Sequence, residues 1–469
     1  MVDIDSILLA LRTSFFILWQ FICYHCGRER YDCVKNIASF LSSYNIVYSK
    51  IFQSLSSGAN VLTHKEMDYL SRFNDDVPYN AAELYTIDEL ENSINEDRPA
   101  DEMIMIDRSN GGHPIASGMI AVVYYGEIGD KQVVIKVKRK NIESRLREAI
   151  NKMRLFVWVS TWLPFIKIMN LYTVFKENEE DMYKQVDFTI EANNIETMGQ
   201  NFQYTTYVKV PEVYLDITNK NNEVIVMERL YGKRLKELDN SVKNDYGRLV
   251  AQYSLKAALF DLIYHADLHS GNIFFMEEDG VKKLGIIDLG IVGHVTRDEQ
   301  YDFYQFFEKV FLKNEALEAA KVIATRLVAP KAVFDNMNDK TKQSLYNDMA
   351  TVIQDILDTN QALNVMTIYR INRMLYKYNL QLDRPFCRIQ LSLAVSGSVS
   401  NELSVNGETY VKHIGQALAA MIKDTDDIME MDSIDKLYNN DLRESSLTLN
   451  TNSNDDNSSD ADEKQLQAL

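Results

Sequence analysis

Cysteine is scarce in this chain. Its 469 residues hold four, with Cys23, Cys26 and Cys33 clustered and Cys387 alone. So few thiols, so unevenly spread, exclude a disulfide framework and favour a reducing compartment. Cys23-Tyr24-His25-Cys26 with Cys33 lacks the second ligand pair of a metal knuckle, so buried thiols on an apolar helix are the better reading. Basic excess is missing as well. The 50 Lys and Arg stand against 68 Asp and Glu, a net charge of −18, and no Lys/Arg-rich face is visible. This excludes a grip on nucleic acid, where phosphate contacts dominate affinity. Much of the acidity sits in residues 424–469, with 13 acidic and 3 basic side chains. Residues 445–469, rich in Asn, Ser and Asp and free of aromatics, are expected to be disordered.

The chain also lacks a basic leader, an Arg-rich transit segment and any internal repeat, so an intracellular location is expected. A clean membrane-spanning run is absent too. Residues 7–26 are apolar and rich in Phe, Leu and Trp but carry Arg12, so they read as a helix at a membrane interface or packed on the protein. Pro164 and Lys167 interrupt residues 155–175, which read as a core helix pair.

What is present is a set of chemistry-bearing residues in a telling order. His265-Ala266-Asp267-Leu268-His269-Ser270-Gly271-Asn272 is followed by Asp288-Leu289-Gly290. In phosphoryl transfer one Asp orients the attacking hydroxyl, while an Asn and a second Asp hold Mg²⁺; Asp267, Asn272 and Asp288 fit these roles. Between them, apolar runs at 273–276 and 283–287 flank Asp279-Gly280 and predict a hairpin whose second strand delivers Asp288. A zinc site at His265, Asp267 and His269 is the weaker alternative, because no Cys partners lie nearby.

Upstream, residues 120–125 and 133–137 predict a second hairpin around Gly129-Asp130, with Lys136 at its apolar centre. A buried ammonium needs a partner. Residues 181–198 predict a helix placing Asp187, Glu191 and Asn194 on one face. That face would ordinarily be solvated, but Glu191 is the natural counter-ion for Lys136, which then reaches the α/β phosphates. The strand 224–227 ends at Glu228, a hinge candidate, and beyond Val295 helical spacing prevails. Strand lysine, helix glutamate, hinge, catalytic loop and metal aspartate follow the order of a protein-kinase-like fold.

Outside that core, Lys50-Ile51-Phe52-Gln53 resembles a Lys-x-Gly-Gln segment, and Asp76-Val77-Pro78 the acidic-Val-Pro element that follows it. The run 114–121 resembles an Ala-rich phosphate loop, and Gln185-Val186-Asp187 a Glu-x-Asp motif. On these residues, over roughly 35–420, the sequence resembles the UbiB/AarF family of atypical kinases, also called ABC-one or ADCK-type. The resemblance implies an α+β bilobal fold, with a small β-rich N-lobe, a helical C-lobe and an N-terminal helical extension. It implies ATP and Mg²⁺ as cofactors, with Ala116, Ser117, Gly118, Met119, Lys136, Glu228, Asn272 and Asp288 at the nucleotide. It also implies catalytic roles for Asp267, Lys136 and Glu191, and an occluding restraint formed by Lys50, Gln53, Gln185 and Asp187.

The expected divisions are an apolar helix (1–34), a helical extension (35–110), an N-lobe (111–230), a C-lobe (231–440) and an acidic tail (441–469). The expected partners are ATP, a phosphoacceptor that is a lipid, a quinone-pathway component or a protein, and a membrane surface. Phe52 stands where the family has Gly and Gln185 where it has Glu, which imply weaker self-occlusion, while Gly118 within the Ala-rich loop brings that loop nearer to a Gly-rich phosphate cradle whose backbone N–H groups approach oxygen closely. Two alternatives remain open. One is a small-molecule phosphotransferase of the aminoglycoside or choline kinase type; the other is a nucleotide-gated scaffold that binds without transfer.

Overall fold

The computed structural model describes residues 4–45, 48, 65–66, 69, 77, 79–160, 179, 182–358 and 365–423. Lys50, Gln53, residues 161–178, which hold most of the helix pair expected over 155–175, and the acidic tail lie outside them. The chain forms two compact units, Met1–Glu237 with Ser270–Val292, and Leu238–His269 with Gly293–Leu469. The segment 270–292 thus returns to the first unit, and the division does not follow a single cut after residue 230.

In the first unit, α1 (Ile4–His25) and α2 (Arg30–Tyr44) pack together. The burial of α1 is inverted: Thr13 and Gln20 face inward, while Leu11, Phe15 and Trp19 are exposed. The Gln20 side chain holds this orientation by accepting from Arg28 and Asn36 at 3.1 and 3.2 Å. No helix among the described residues is long and apolar enough to cross a membrane. After α3 (Ile87–Ile94), opened by a Thr86/Glu89 capping box, comes the main sheet.

That sheet runs β1 (Ile104–Ile106), β3 (Ala121–Ile128), β4 (Lys131–Lys138), β6 (Val224–Glu228), with β2 (Ala116–Ser117) paired to β3. It therefore begins before residue 111. Alternation along β4 sends Val133, Ile135 and Val137 into a core shared with Leu90, Ile94, Val122, Tyr124, Val224 and Val226. Lys136 and Lys138 take the other face. Gly126 permits the approach of β1, since a Cβ there would lie 2.7 Å from the Met105 carbonyl oxygen.

Helix α4 (Ile142–Ser160) follows, then α5 (Phe188–Phe202), β5 (Val208–Lys209) and the short α6 (Leu215–Lys220). The helix expected over 181–198 is broken. Residues 185–186 form a turn and Asp187 caps α5, accepting from the Thr189 N–H at 3.0 Å. An Asp has a better use before a first turn than inside a helix, because it satisfies an orphan backbone N–H. The hairpin β8 (Ile273–Glu278) and β9 (Val281–Ile286) turns at Asp279 and Gly280, both at positive φ, as a type I′ turn requires.

The second unit is largely helical. Its long helix α7 (Asn240–Leu259) packs against α13 (Arg384–Glu402) and α14 (Tyr410–Lys423), and strand β7 (Ile263–His265) follows it. Gly247 allows that packing, for a Cβ would come within 2.4 Å of the His413 ring. Between β7 and α13 run β10 (Val292–His294), α8 (Arg297–Phe307), α9 (Ala316–Arg326), β11 (Val328–Ala329), α10 (Lys331–Asp335), α11 (Asp339–Asp358), α12 (Val365–Tyr376) and β12 (Gln381–Leu382).

Candidate active site

The antiparallel register carries Lys136 opposite Val123 and Ile225, at the centre of the sheet. From there its Nζ donates to Glu191 Oε1 at 2.7 Å and Oε2 at 2.9 Å, and lies 3.3 Å from Asp288 Oδ2. Glu191 is buried, whereas the Asp288 side chain is 49% exposed and keeps an open side. Burial works against the charge on Lys136, but the carboxylates of Asp288 and Glu191 outweigh it and raise its pKa above the ordinary lysine value. Burial pushes Glu191 up to about 7, against the pull of Lys136 and with the push of Asp288.

Asp288 adopts φ +60, a left-handed conformation that Asp tolerates better than most residues but that still stores strain. Two contacts hold the turn: Asn194 Nδ2 donates to the Leu289 carbonyl at 2.9 Å, and the Gly290 N–H donates to Asp288 Oδ1 at 3.4 Å. Asn272 is buried at the start of β8, and its carbonyl accepts from the Ile287 N–H at 3.0 Å. The register pairs Ile273 with Ile286, so Asn272 lies just before one strand and Asp288 two residues beyond the end of the other. A carboxamide and a partly exposed carboxylate are hard oxygen donors of the kind Mg²⁺ takes, and they fit that ion. Arg234 supports this corner: its Nη1 donates to the Gly271 carbonyl at 2.7 Å and its guanidinium lies 3.9 Å from the Phe274 ring centre.

Asp267 belongs to the second unit. The Asp267 N–H donates to His265 Nδ1 at 3.1 Å, and the His265 carbonyl accepts from Ser392 Oγ at 2.8 Å. The histidine of the motif therefore shapes the loop that presents Asp267.

The other expected site residues are placed differently. Glu228 Oε2 accepts from Lys209 Nζ at 2.8 Å and from the Glu212 N–H at 3.2 Å, so its carboxylate is engaged within the protein. In the 116–119 loop, the Gly118 N–H bonds to the Ala121 carbonyl at 2.8 Å, Met119 is buried, and the Ser117 hydroxyl turns away to the Val77 carbonyl. The stretch forms a tight β2–β3 turn, with Ala116 exposed beside it. Asp187 serves as a helix cap, Gln185 lies half-buried in the turn before it, and Lys50 and Gln53 fall outside the described residues. Sequence reasoning named Asn194 and Gly290 without these supporting roles and missed Arg234. Asn194 and Arg234 work by binding distant backbone carbonyls, which leaves no spacing signature.

Residues 85–322, half of the chain, match the ABC1 atypical kinase-like domain, and the chain belongs to that family and has its kinase-like fold. Among its relatives, the probable protein kinase UbiB of Photorhabdus laumondii is 31% identical over 212 residues, 42% of this chain and 38% of that protein. The probable protein kinase UbiB of Actinobacillus pleuropneumoniae is 26% identical over 293 residues, 60% of this chain and 52% of that one. The chain thus spans about half or less of the length of these curated relatives. The solved Rv3197–erythromycin complex from Mycobacterium tuberculosis aligns over 75% of this chain and 87% of that one, at 16% identity and a TM-score of 0.48.

Proposed function

We propose that the chain is an ATP- and Mg²⁺-dependent atypical kinase or ATPase acting on the γ-phosphate of ATP. The observation that carries this reading is the bidentate Lys136–Glu191 pair with Asp288 at 3.3 Å from the same ammonium. Glu191 holds the ammonium in place and keeps it charged, so Lys136 can give its remaining donor capacity to phosphate oxygens. Asn272 and Asp288 would hold Mg²⁺, which neutralises phosphate charge when bound. Asp267 orients the attacking hydroxyl or water and accepts its proton, and the Glu228 carbonyl accepts from the base. The acceptor class, a lipid, a quinone-pathway component or a protein, follows from the family resemblance. The outward apolar side chains of α1 support a lipid surface as the working environment.

The test is steady-state ATP turnover with Mg²⁺, with and without lipid vesicles, for wild type, Asp288→Ala and Lys136→Ala. Turnover lost in both variants is the expected result. Wild-type turnover no greater than that of Asp288→Ala overturns the catalytic reading and, with retained nucleotide binding, leaves a nucleotide-gated scaffold.

A further inference from the structure

Arg139, one residue beyond the end of β4, is among the largest fully buried side chains of the molecule. A guanidinium taken from water is costly unless its donors are met. Its Nη1 donates to Glu83 Oε2 at 2.8 Å, and its Nη2 to Ser117 Oγ at 2.8 Å and to the Val77 carbonyl at 3.1 Å. The Ser117 hydroxyl donates to the same Val77 carbonyl at 2.8 Å, and the Val77 N–H returns a bond to the Ser117 carbonyl at 2.7 Å. Backbone bonds close the arrangement, from the Arg139 N–H to the Ile120 carbonyl at 2.9 Å and from the Lys140 N–H to the Glu83 carbonyl at 2.8 Å. The other Glu83 oxygen is held by Arg145 at 2.8 Å.

On its remaining side the β2–β3 turn is gripped by apolar packing. Ile120 packs against a cluster that includes Leu41, Tyr48, Ile142 and Met153, so residues of the extension belong to the core on which the turn rests. Gly118 alone would leave this turn mobile. Its surroundings remove that freedom before any ligand arrives.

We propose that Arg139 is a positioning residue that locks the 116–121 turn to Val77 and Glu83, so that the extension sets the affinity for nucleotide phosphate. This rests on the nucleotide reading above and on the resemblance of 114–121 to a phosphate loop. The logic is preorganisation: ordering a glycine-containing loop on binding weakens affinity, and the clamp meets that ordering requirement in the free protein. Arginine is needed because its planar fork reaches Glu83, Ser117 and Val77 at once, which a lysine ammonium cannot do.

The experiment uses the full chain and three variants, Arg139→Lys, Ser117→Ala and Glu83→Gln. Binding of a fluorescent ATP analogue with Mg²⁺ is titrated, KM and kcat for ATP are separated, and amide hydrogen exchange is followed in the absence of nucleotide. Arg139→Lys is expected to weaken nucleotide binding and raise KM about tenfold while kcat stays within about twofold. Exchange should accelerate together in 116–121 and 77–83. A folded Arg139→Lys protein with unchanged affinity overturns the proposal, as does faster exchange in 77–83 alone. Should Arg139→Lys fail to fold, Ser117→Ala, which keeps the Arg139–Glu83 pair, is judged by the same outcomes. A wild-type protein that binds no nucleotide overturns the nucleotide part. The clamp itself then stands or falls on whether the two segments lose protection together.

Discussion

Lys136 and Lys138 lie two residues apart on one face of β4, both near the Phe188 ring, yet their surroundings differ in kind. The partners of Lys136, Glu191 and Asp288, come from far along the chain, and one of them is half exposed. Lys138 is wholly buried, with Glu143 at 3.0 Å and Glu223 at 3.6 Å. Those two glutamates line a surface cavity of about 660 Å³ and keep contact with water. The first lysine is held charged beside an open carboxylate, as the proposed phosphate contact requires; the second is sealed by its neighbours. What separates the two cations is which elements supply their partners, and whether one side is left open.

The sharpest way to break this comparison is substitution of each lysine by methionine. Lys136→Met is expected to lower ATP turnover at least about 100-fold, whereas Lys138→Met stays within about threefold, measured by phosphate release. Equal losses would end the distinction. Asp288→Asn should lose turnover to a similar extent, about 100-fold, with an unchanged circular dichroism spectrum, because Asn tolerates the left-handed backbone at that position.

Stability should separate the lysines again. Removing Lys136 strands the buried Glu191 beside Asp288 and is expected to cost about 3 kcal/mol by urea unfolding, against about 1 kcal/mol or less for Lys138, whose partners fall back on water. The smallest effect belongs to a third way of burying a basic nitrogen, as a neutral ring. His413 lies fully buried with Ser400 Oγ 2.7 Å from Nδ1. Burial lowers its pKa from 6.5, Glu408 opposes the shift and Arg248 adds to it. The folded ring stays neutral while the unfolded chain takes up a proton, so its contribution is complete above the ordinary histidine value and declines as pH falls below it. His413→Gln should flatten that part of the stability profile.

Much of the site was readable because its chemistry imposes order on the chain. Lys136 and Glu191 were paired by sequence logic, and the geometry brings them to 2.7 Å; Asp288, read from the sequence as a metal ligand only, proves to lie 3.3 Å from the same ammonium. The hairpin behind Asn272 and Asp288 was legible from Asp279-Gly280, whose residue types suit positive φ. Asp187 was misplaced on a helical face because spacing cannot distinguish a helical position from a cap. The tight turn at 116–121 was hidden for a different reason. Its shape depends on Arg139 and Val77, and an arginine bound to a remote carbonyl looks in sequence like any other surface arginine. The left-handed backbone of Asp288 was equally invisible, since nothing local demands it.

The β8–β9 hairpin offers an engineering handle. Its Asn272 and Asp288 end lies about 20 Å of strand away from the Asp279-Gly280 tip. That tip is exposed, and a Cβ at Gly280 would meet no atom within 4 Å. A dye or affinity label attached there would ride on the same two strands that carry Asn272 and Asp288, and could report loading of the site from a distance without entering it.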